Sequence, residues 1–338
     1  MKLLNIFGAN FAIDLGTENT LVYKENEGII LKEASVVAVD VRSGEVVSVG
    51  NSAEQMIGKS PDNIVIVRPL ENGSISDFDI TKILLKHCME KSLAAINIIQ
   101  PRVVITAPTG ISDIEMRALE DACIYSGARE VYIIESSMAD AIGNGHDINS
   151  TEGKLIVDFG AGNTEIAIIS MNGIVISKNL RYGGDLLNEE IVNFIYSKYS
   201  ISIGLSTAKE LKEKIGTVGS LDNANPSMEV SGRDALSGMP VTIDVFSSDI
   251  KEAVMNKVKK FIDEIIYVLE KNPPELSRDI LKNGIFITGG GSQLLGLDKL
   301  IQDTIGVKVS KSTTPLEDTV NGAGIVVCDL KKYKNSGK

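Results

Sequence analysis

Cysteine is scarce: the chain has three, Cys88, Cys123 and Cys328, scattered through apolar sequence. No CxxC pair and no Cys/His cluster occurs, so neither a disulfide framework nor a zinc site is supported. The three thiols read as core residues in a reducing cytoplasm. Positive charge is short as well, with 34 Lys and Arg against 45 Asp and Glu and a net charge of -11. Such a chain gains no counterion-release affinity, which excludes nucleic acid as a main partner. No apolar run approaches the ~20 residues that span a bilayer. The start, Met1 to Gly8, is apolar but short, has one basic residue, and is expected to run into a strand at Phe11 instead of acting as a secretory signal. Pro/Gly/Ser linkers and low-complexity tracts are missing. So are GxxxxGK[ST] and a GxGxxG after the first strand, which excludes the P-loop and Rossmann readings.

What is present is an alternation of strand and helix signals over 338 residues, enough for two α/β domains of about 150 residues. Strands are expected at Phe11–Asp14, Thr20–Lys24, Arg102–Thr106, Val131–Ile134, Lys154–Asp158, Thr164–Ser170 and Gly284–Thr288. Ser112 and Glu115 have capping-box spacing, and Gly127 is placed to close the helix they open. A second helix is expected from about Asp185 to Tyr199. A third carries Ile250, Val254, Val258, Phe261, Ile265, Val268 and Leu269 at steps of three and four, with Pro273-Pro274 ending it.

The most informative feature is a repeat. Residues 14–20 read Asp-Leu-Gly-Thr-Glu-Asn-Thr and residues 158–164 read Asp-Phe-Gly-Ala-Gly-Asn-Thr. Each copy lies between two apolar strand signals, and 144 residues, about one domain, separate Asp14 from Asp158. Glycine allows the backbone close to a phosphate, and successive turn amides can point at its oxygens. Thr17, Asn19, Thr20, Asn163 and Thr164 add donors, while Asp14 and Asp158 can hold Mg²⁺ directly or through water. Two such hairpins facing each other would clasp a nucleotide's phosphates from both sides. A third glycine turn, Gly289-Gly290-Gly291-Ser292, is placed to pack flat against a base or ribose.

These elements resemble the superfamily of actin, heat-shock chaperones and sugar kinases, and in detail the MreB/Mbl family of bacterial actins. The resemblance runs through Ile13-Asp14-Leu15-Gly16-Thr17, Met56-Ile57-Gly58-Lys59-Ser60-Pro61, Arg68-Pro69-Leu70, Pro101-Arg102-Val103-Val104 and Gly110-Ile111. It continues at Met138-Ala139-Asp140-Ala141-Ile142-Gly143, Gly183-Gly184-Asp185, Leu269-Glu270-Lys271-Asn272-Pro273-Pro274 and Gly284 to Gly291. It implies an actin-like fold of two duplicated ribonuclease-H-like domains with a nucleotide between them. The first would take residues 1–142 and 316–338 with a small subdomain at about 32–74. The second would take 143–315 with a small subdomain at about 180–246. It further implies ATP and Mg²⁺, held by Asp14, Gly16, Thr17, Glu18, Asn19, Thr20, Asp158, Gly160, Ala161, Gly162, Asn163 and Thr164. Gly184 and Asp185 would lie near ribose and phosphates. Lys209, Lys212 and Glu213, on the helix Thr207–Ile215, would border the adenosine with Gly289, Gly290, Gly291 and Ser292.

The function implied is a homopolymer, with antiparallel double filaments, on the cytoplasmic face of the inner membrane. There it would work with cell-wall elongation proteins to set cell shape. Leu3, Leu4, Ile6 and Phe7, and the pair Ile98-Ile99, are candidates for lipid contact. Two positions depart from the family pattern. Ser136 stands where a water-orienting Glu belongs, and Asn163 where a Thr belongs. Neither serine nor an amide is a general base at neutral pH, and Glu135 is one residue out of register. At most a slow ATPase is expected. The competing readings are an actin-fold small-molecule kinase, a chaperone, and a segregation or division actin. No catalytic base for a kinase and no substrate-binding domain for a chaperone is apparent in the sequence.

Overall fold

The computed structural model describes residues 9–93, 99–221 and 225–333. Of the residues considered for lipid contact, Leu3, Leu4, Ile6, Phe7 and Ile98 lie outside the described residues, and Ile99 is half-buried.

Two five-stranded sheets carry the molecule, and the sequence repeat is repeated in their topology. In the first half, β1 (Asn10–Leu15), β2 (Asn19–Lys24) and β3 (Gly28–Ala34) form an antiparallel meander. Strands β4 (Arg102–Ala107) and β5 (Glu130–Glu135) then add in parallel beside β1, giving the order β5-β4-β1-β2-β3. In the second half, β6 (Lys154–Phe159), β7 (Thr164–Ser170) and β8 (Gly173–Leu180) form the same meander. Strands β9 (Ile285–Thr288) and β10 (Val309–Lys311) add in parallel beside β6. The match extends to register. Asp14 pairs with Leu21 and Leu15 with Thr20, while Asp158 pairs with Glu165 and Phe159 with Thr164. The strands covered on both faces read as nearly continuous apolar runs, β7 being buried at every position.

In the first half the helices are α1 (Phe78–Ser92) and α2 (Asp113–Tyr125), followed by α3 (Ser136–Gly143). The capping box forms: Glu115 N donates to Ser112 Oγ at 3.3 Å while Ser112 N donates to Glu115 Oε2 at 2.9 Å. Gly127, at φ 112°, carries the chain out of that helix. In the second half come α4 (Gly184–Tyr199), α5 (Leu205–Ile215) and α6 (Ser247–Lys271). Ile250, Val254, Val258, Phe261, Ile265 and Val268 of α6 are all buried, each contributing about 1.5–3 kcal/mol of apolar burial. The two prolines after α6 do more than end it. Pro274 is the first residue of α7 (Pro274–Asn283), where its missing N–H has no helical acceptor to lose. Each half also carries a small three-stranded sheet, Val37–Asp40 with Val46–Val49 and Ile64–Val67 in the first, and Ile201–Ser202 with Ser227–Asp234 and Pro240–Phe246 in the second.

The halves meet in a layer of two helices, α3 and α8 (Asp318–Cys328), between the sheets. Ala12 and Val104 of the first sheet, and Ile156, Ala167 and Ile169 of the second, close on Met138, Ala139, Ile142, Ala323 and Val326. The helices cross backbone to backbone: a β-carbon on Gly322 would lie 1.8 Å from the Ala139 oxygen, and one on Gly143 would lie 2.1 Å from the Asp318 oxygen. This crossing fixes where the two repeated hairpins face each other.

Candidate nucleotide cleft

The first glycine of each repeat has the same local task. Gly16 N donates to the Asn19 oxygen at 3.1 Å, and a β-carbon on Gly16 would lie 2.7 Å from that oxygen. On Gly160 it would lie 2.9 Å from the Asn163 oxygen. Both turns therefore fold their return strand onto a residue without a side chain. Gly289 is constrained twice, by φ +77° and by contact: a β-carbon there would lie 2.1 Å from Asp158 Oδ1.

Between the two hairpins lies a cavity of about 920 Å³. Asp14, Gly16, Thr17, Glu18 and Asn19 line it from the first hairpin, and Asp158, Gly160, Ala161 and Asn163 from the second. Gly184, Lys209, Lys212, Glu213, Gly289, Gly290 and Gly291 complete the expected set, with Ser136 at the wall. Thr20, Gly162, Thr164, Asp185, Ser292 and Glu135 are not on this wall. The reasons are local. Thr20 and Thr164 are buried behind it, Thr20 against the Ser35 hydroxyl at 2.9 Å and Thr164 donating to the Tyr182 oxygen at 3.0 Å. Gly162 is pressed against Thr17. The Asp185 amide donates to the Ala161 oxygen at 2.9 Å, so the start of α4 is tied to the second turn. Ser292 Oγ donates to the Gly289 oxygen at 2.7 Å, and Glu135 accepts from Gly110 N at 3.3 Å.

Sequence reasoning missed Glu165 and Thr106, both on the cavity wall. Thr106 Oγ1 donates to Asp14 Oδ1 at 2.7 Å. Glu165 stands at the register position that Leu21 holds in the first copy, opposite Asp158. Its Oε2 accepts from Thr109 N at 2.9 Å and Ser137 Oγ at 3.1 Å, and its Oε1 from Asn163 Nδ2 at 3.0 Å. The signal was an acid inside a run that otherwise reads as a fully buried strand.

The floor of the cleft is short of positive charge. Burial pushes the Asp14 carboxyl up to about 6, against the pull of the Thr106 hydroxyl. Asp158 is raised well above the usual range by burial and then by Glu165, Asp14 and Asp318. Glu165 is raised by burial despite its hydrogen bonds. Behind them, Asp140 of α3 is raised by burial and by Asp158; its Oδ1 accepts from Thr319 at 2.7 Å. Lys212, its charge disfavoured by burial, donates to the Gly184 oxygen at 2.7 Å.

Such a floor fits a divalent cation. Among the described residues no group of three or more His, Cys, Asp or Glu gathers as a metal cage. A metal here would therefore rest on Asp14 and Asp158, with water and ligand oxygens as its other neighbours, the arrangement Mg²⁺ prefers. Thr17 Oγ1 is buried without a hydrogen-bond partner at the same place, which suits a phosphate oxygen.

Known proteins are similar to this chain in sequence and in fold. The cell shape-determining protein Mbl of Bacillus subtilis is 40% identical over 327 residues, covering 97% of this chain and 98% of Mbl. The cell shape-determining protein MreB of Escherichia coli is 38% identical over 329 residues, covering 96% and 94%. The crystal structure of MreB 5 of Spiroplasma citri, bound to AMPPNP, superposes with a TM-score of 0.92 at 32% identity, covering 98% of this chain and 99% of that one. The MamK double helical filament shares the fold alone, with a TM-score of 0.79 at 24% identity. The family described as MreB/Mbl protein matches residues 8–335. With its duplicated hairpins, helical crossing and sequence matched nearly end to end, this chain belongs to the MreB/Mbl family and has its actin-like fold.

Proposed function

We propose that this protein binds Mg-ATP in the cleft and polymerises as a nucleotide-dependent filament that determines cell shape by organising cell-wall synthesis. The observation that carries the reading is the paired hairpins. Two register-matched turns face one cavity, with Asp14 and Asp158 on its wall and the buried Thr17 hydroxyl without a hydrogen-bond partner beside them. The nucleotide bound to MreB 5 of Spiroplasma citri supports it from outside the chain. A head-to-tail contact that does not close propagates into a protofilament. Double filaments, antiparallel by family likeness, would present many copies of a weak lipid contact to the inner membrane face and gain avidity.

Hydrolysis in this reading is slow. Ser136 Oγ donates to the Ala107 oxygen at 3.1 Å and brings no base to the cleft. Glu165, which lines the cavity and accepts from Asn163 Nδ2 at 3.0 Å, would be the carboxylate to orient a water. Among the described residues no helix is long and apolar enough to cross a membrane. The test is sedimentation and electron microscopy with Mg-ATP, with and without liposomes of anionic phospholipid. Filaments that co-sediment with lipid are expected, and monodisperse particles in every condition would favour a small-molecule kinase.

A further inference from the structure

Fourteen ion pairs of Lys or Arg occur among the described residues, and two of them join the half built on the first sheet to the half built on the second. One, Arg181 with Glu115, is loose at 3.8 Å, with 74% of the arginine side chain exposed. Surface pairs of that kind contribute little. The other joins Glu18 to Lys209. Glu18 stands in the turn of the first hairpin, Lys209 on α5 of the second half, and the ammonium donates directly to Glu18 Oε1. Only 20% of the Glu18 side chain and 31% of the Lys209 side chain are exposed. Both residues line the cavity.

The surroundings favour this contact. Lys209 is met by Glu213 of its own helix, 3.9 Å away, and by the charge of Glu54 from the first half. Lys212, one turn on, is directed at the Gly184 oxygen and leaves Glu18 to Lys209. The opposite end of the junction is different in kind. There α3 and α8 cross in backbone contact at Gly143 and Gly322, a packed layer that holds the halves together at that end. A rotation that opens the cleft would have to pull Glu18 from Lys209.

We infer that Glu18 and Lys209 form a latch across the cleft that holds the two halves together over a bound ligand and slows its release. The inference rests on the reading of the cleft as a Mg-nucleotide site. It adds that nucleotide exchange is limited by breaking one charge pair and is sensitive to ionic strength.

The experiment is stopped-flow release of a fluorescent ATP analogue with Mg²⁺, chased with unlabelled ATP, at protein concentrations below assembly. Glu18→Gln and Lys209→Gln should each speed release roughly 5- to 30-fold, the span open to a half-buried charged hydrogen bond. The exchanged pair, Glu18→Lys with Lys209→Glu, should release more slowly than either single variant. Salt should speed release from the parent and from the exchanged pair but not from either single variant. Unchanged release in both single variants, or an exchanged pair as fast as the sum of its parts, overturns the latch. A lysine that instead held the nucleotide would show loss of affinity in Lys209→Gln with no change in Glu18→Gln, which also overturns it. Absence of any binding to the parent protein overturns the nucleotide reading instead. Small-angle scattering of the ligand-free protein then decides the latch separately: Glu18→Lys should expand the molecule and the exchanged pair restore it, and no expansion rejects it.

Discussion

Gly162 of the second hairpin and Thr17 of the first pack so closely that a β-carbon on Gly162 would lie 2.5 Å from Thr17 Oγ1, 2.8 Å from its Cγ2 and 3.0 Å from its Cβ. Rotating the threonine cannot relieve all three contacts, so a larger residue must push the hairpins apart. Because Thr17 Oγ1 is buried without a partner, that displacement would be felt where a phosphate oxygen is expected.

Gly162→Ala is therefore expected to weaken Mg-ATP binding about 10-fold or more, at a cost of about 1–3 kcal/mol from overpacking. Calorimetric titration checks it. Gly173→Ala is the comparison: its β-carbon would meet nothing closer than 3.9 Å, and affinity should not change.

The pH dependence follows from the raised carboxyls. Asp14 is pushed up to about 6, and Asp158 is raised as well. An acid raised by folding binds its proton more tightly in the folded state. Its contribution to the ligand-free protein is favourable below the ordinary carboxylate range and is lost as pH rises through about 6. A metal needs both carboxylates as anions, so its binding changes in the opposite sense. The rise in thermal midpoint given by Mg-ATP should shrink as pH falls from about 7.5 to about 5.5, while Asp14→Asn should stabilise the ligand-free protein at the higher pH. Thermal melts with and without ligand read both effects. An increment that grows toward acid would contradict the assignment.

Hydrolysis gives a third prediction. Loss of a positioned base costs ~10²–10⁴ in rate. Phosphate release under polymerising conditions should be slow in the parent protein and faster in Ser136→Glu with Asn163→Thr. Glu165→Gln should lower what remains, since Glu165 is the wall carboxylate joined to Asn163. A parent protein as fast as the double variant would show that another group orients the water.

The hairpins were legible because their signal is local: an apolar strand, an aspartate, a glycine turn and a second strand, twice. Side chains alternate along a strand, so Asn19 and Asn163 face the cleft while Thr20 and Thr164 turn inward. Glu165 escaped because its significance is tertiary. It is held by Thr109, 56 residues away in sequence, and Ser137, 28 away, and nothing near it in the chain announces either. The Glu18–Lys209 contact spans 191 residues and was equally hidden, although each residue separately was assigned to the cleft. Asp185, expected near the ribose and phosphates, is tied by its backbone amide to the second turn through the Ala161 oxygen.

The central claim is that Asp14 and Asp158 jointly present a cation-bound nucleotide to the two hairpins. The most direct test is equilibrium binding of Mg-ATP to the parent protein, Asp14→Ala and Asp158→Ala, with circular dichroism to verify folding. The account predicts binding by the parent and a loss of about 10-fold or more in each variant, largely abolished when Mg²⁺ is replaced by EDTA. Equal affinity in all three proteins, with and without the metal, would contradict it.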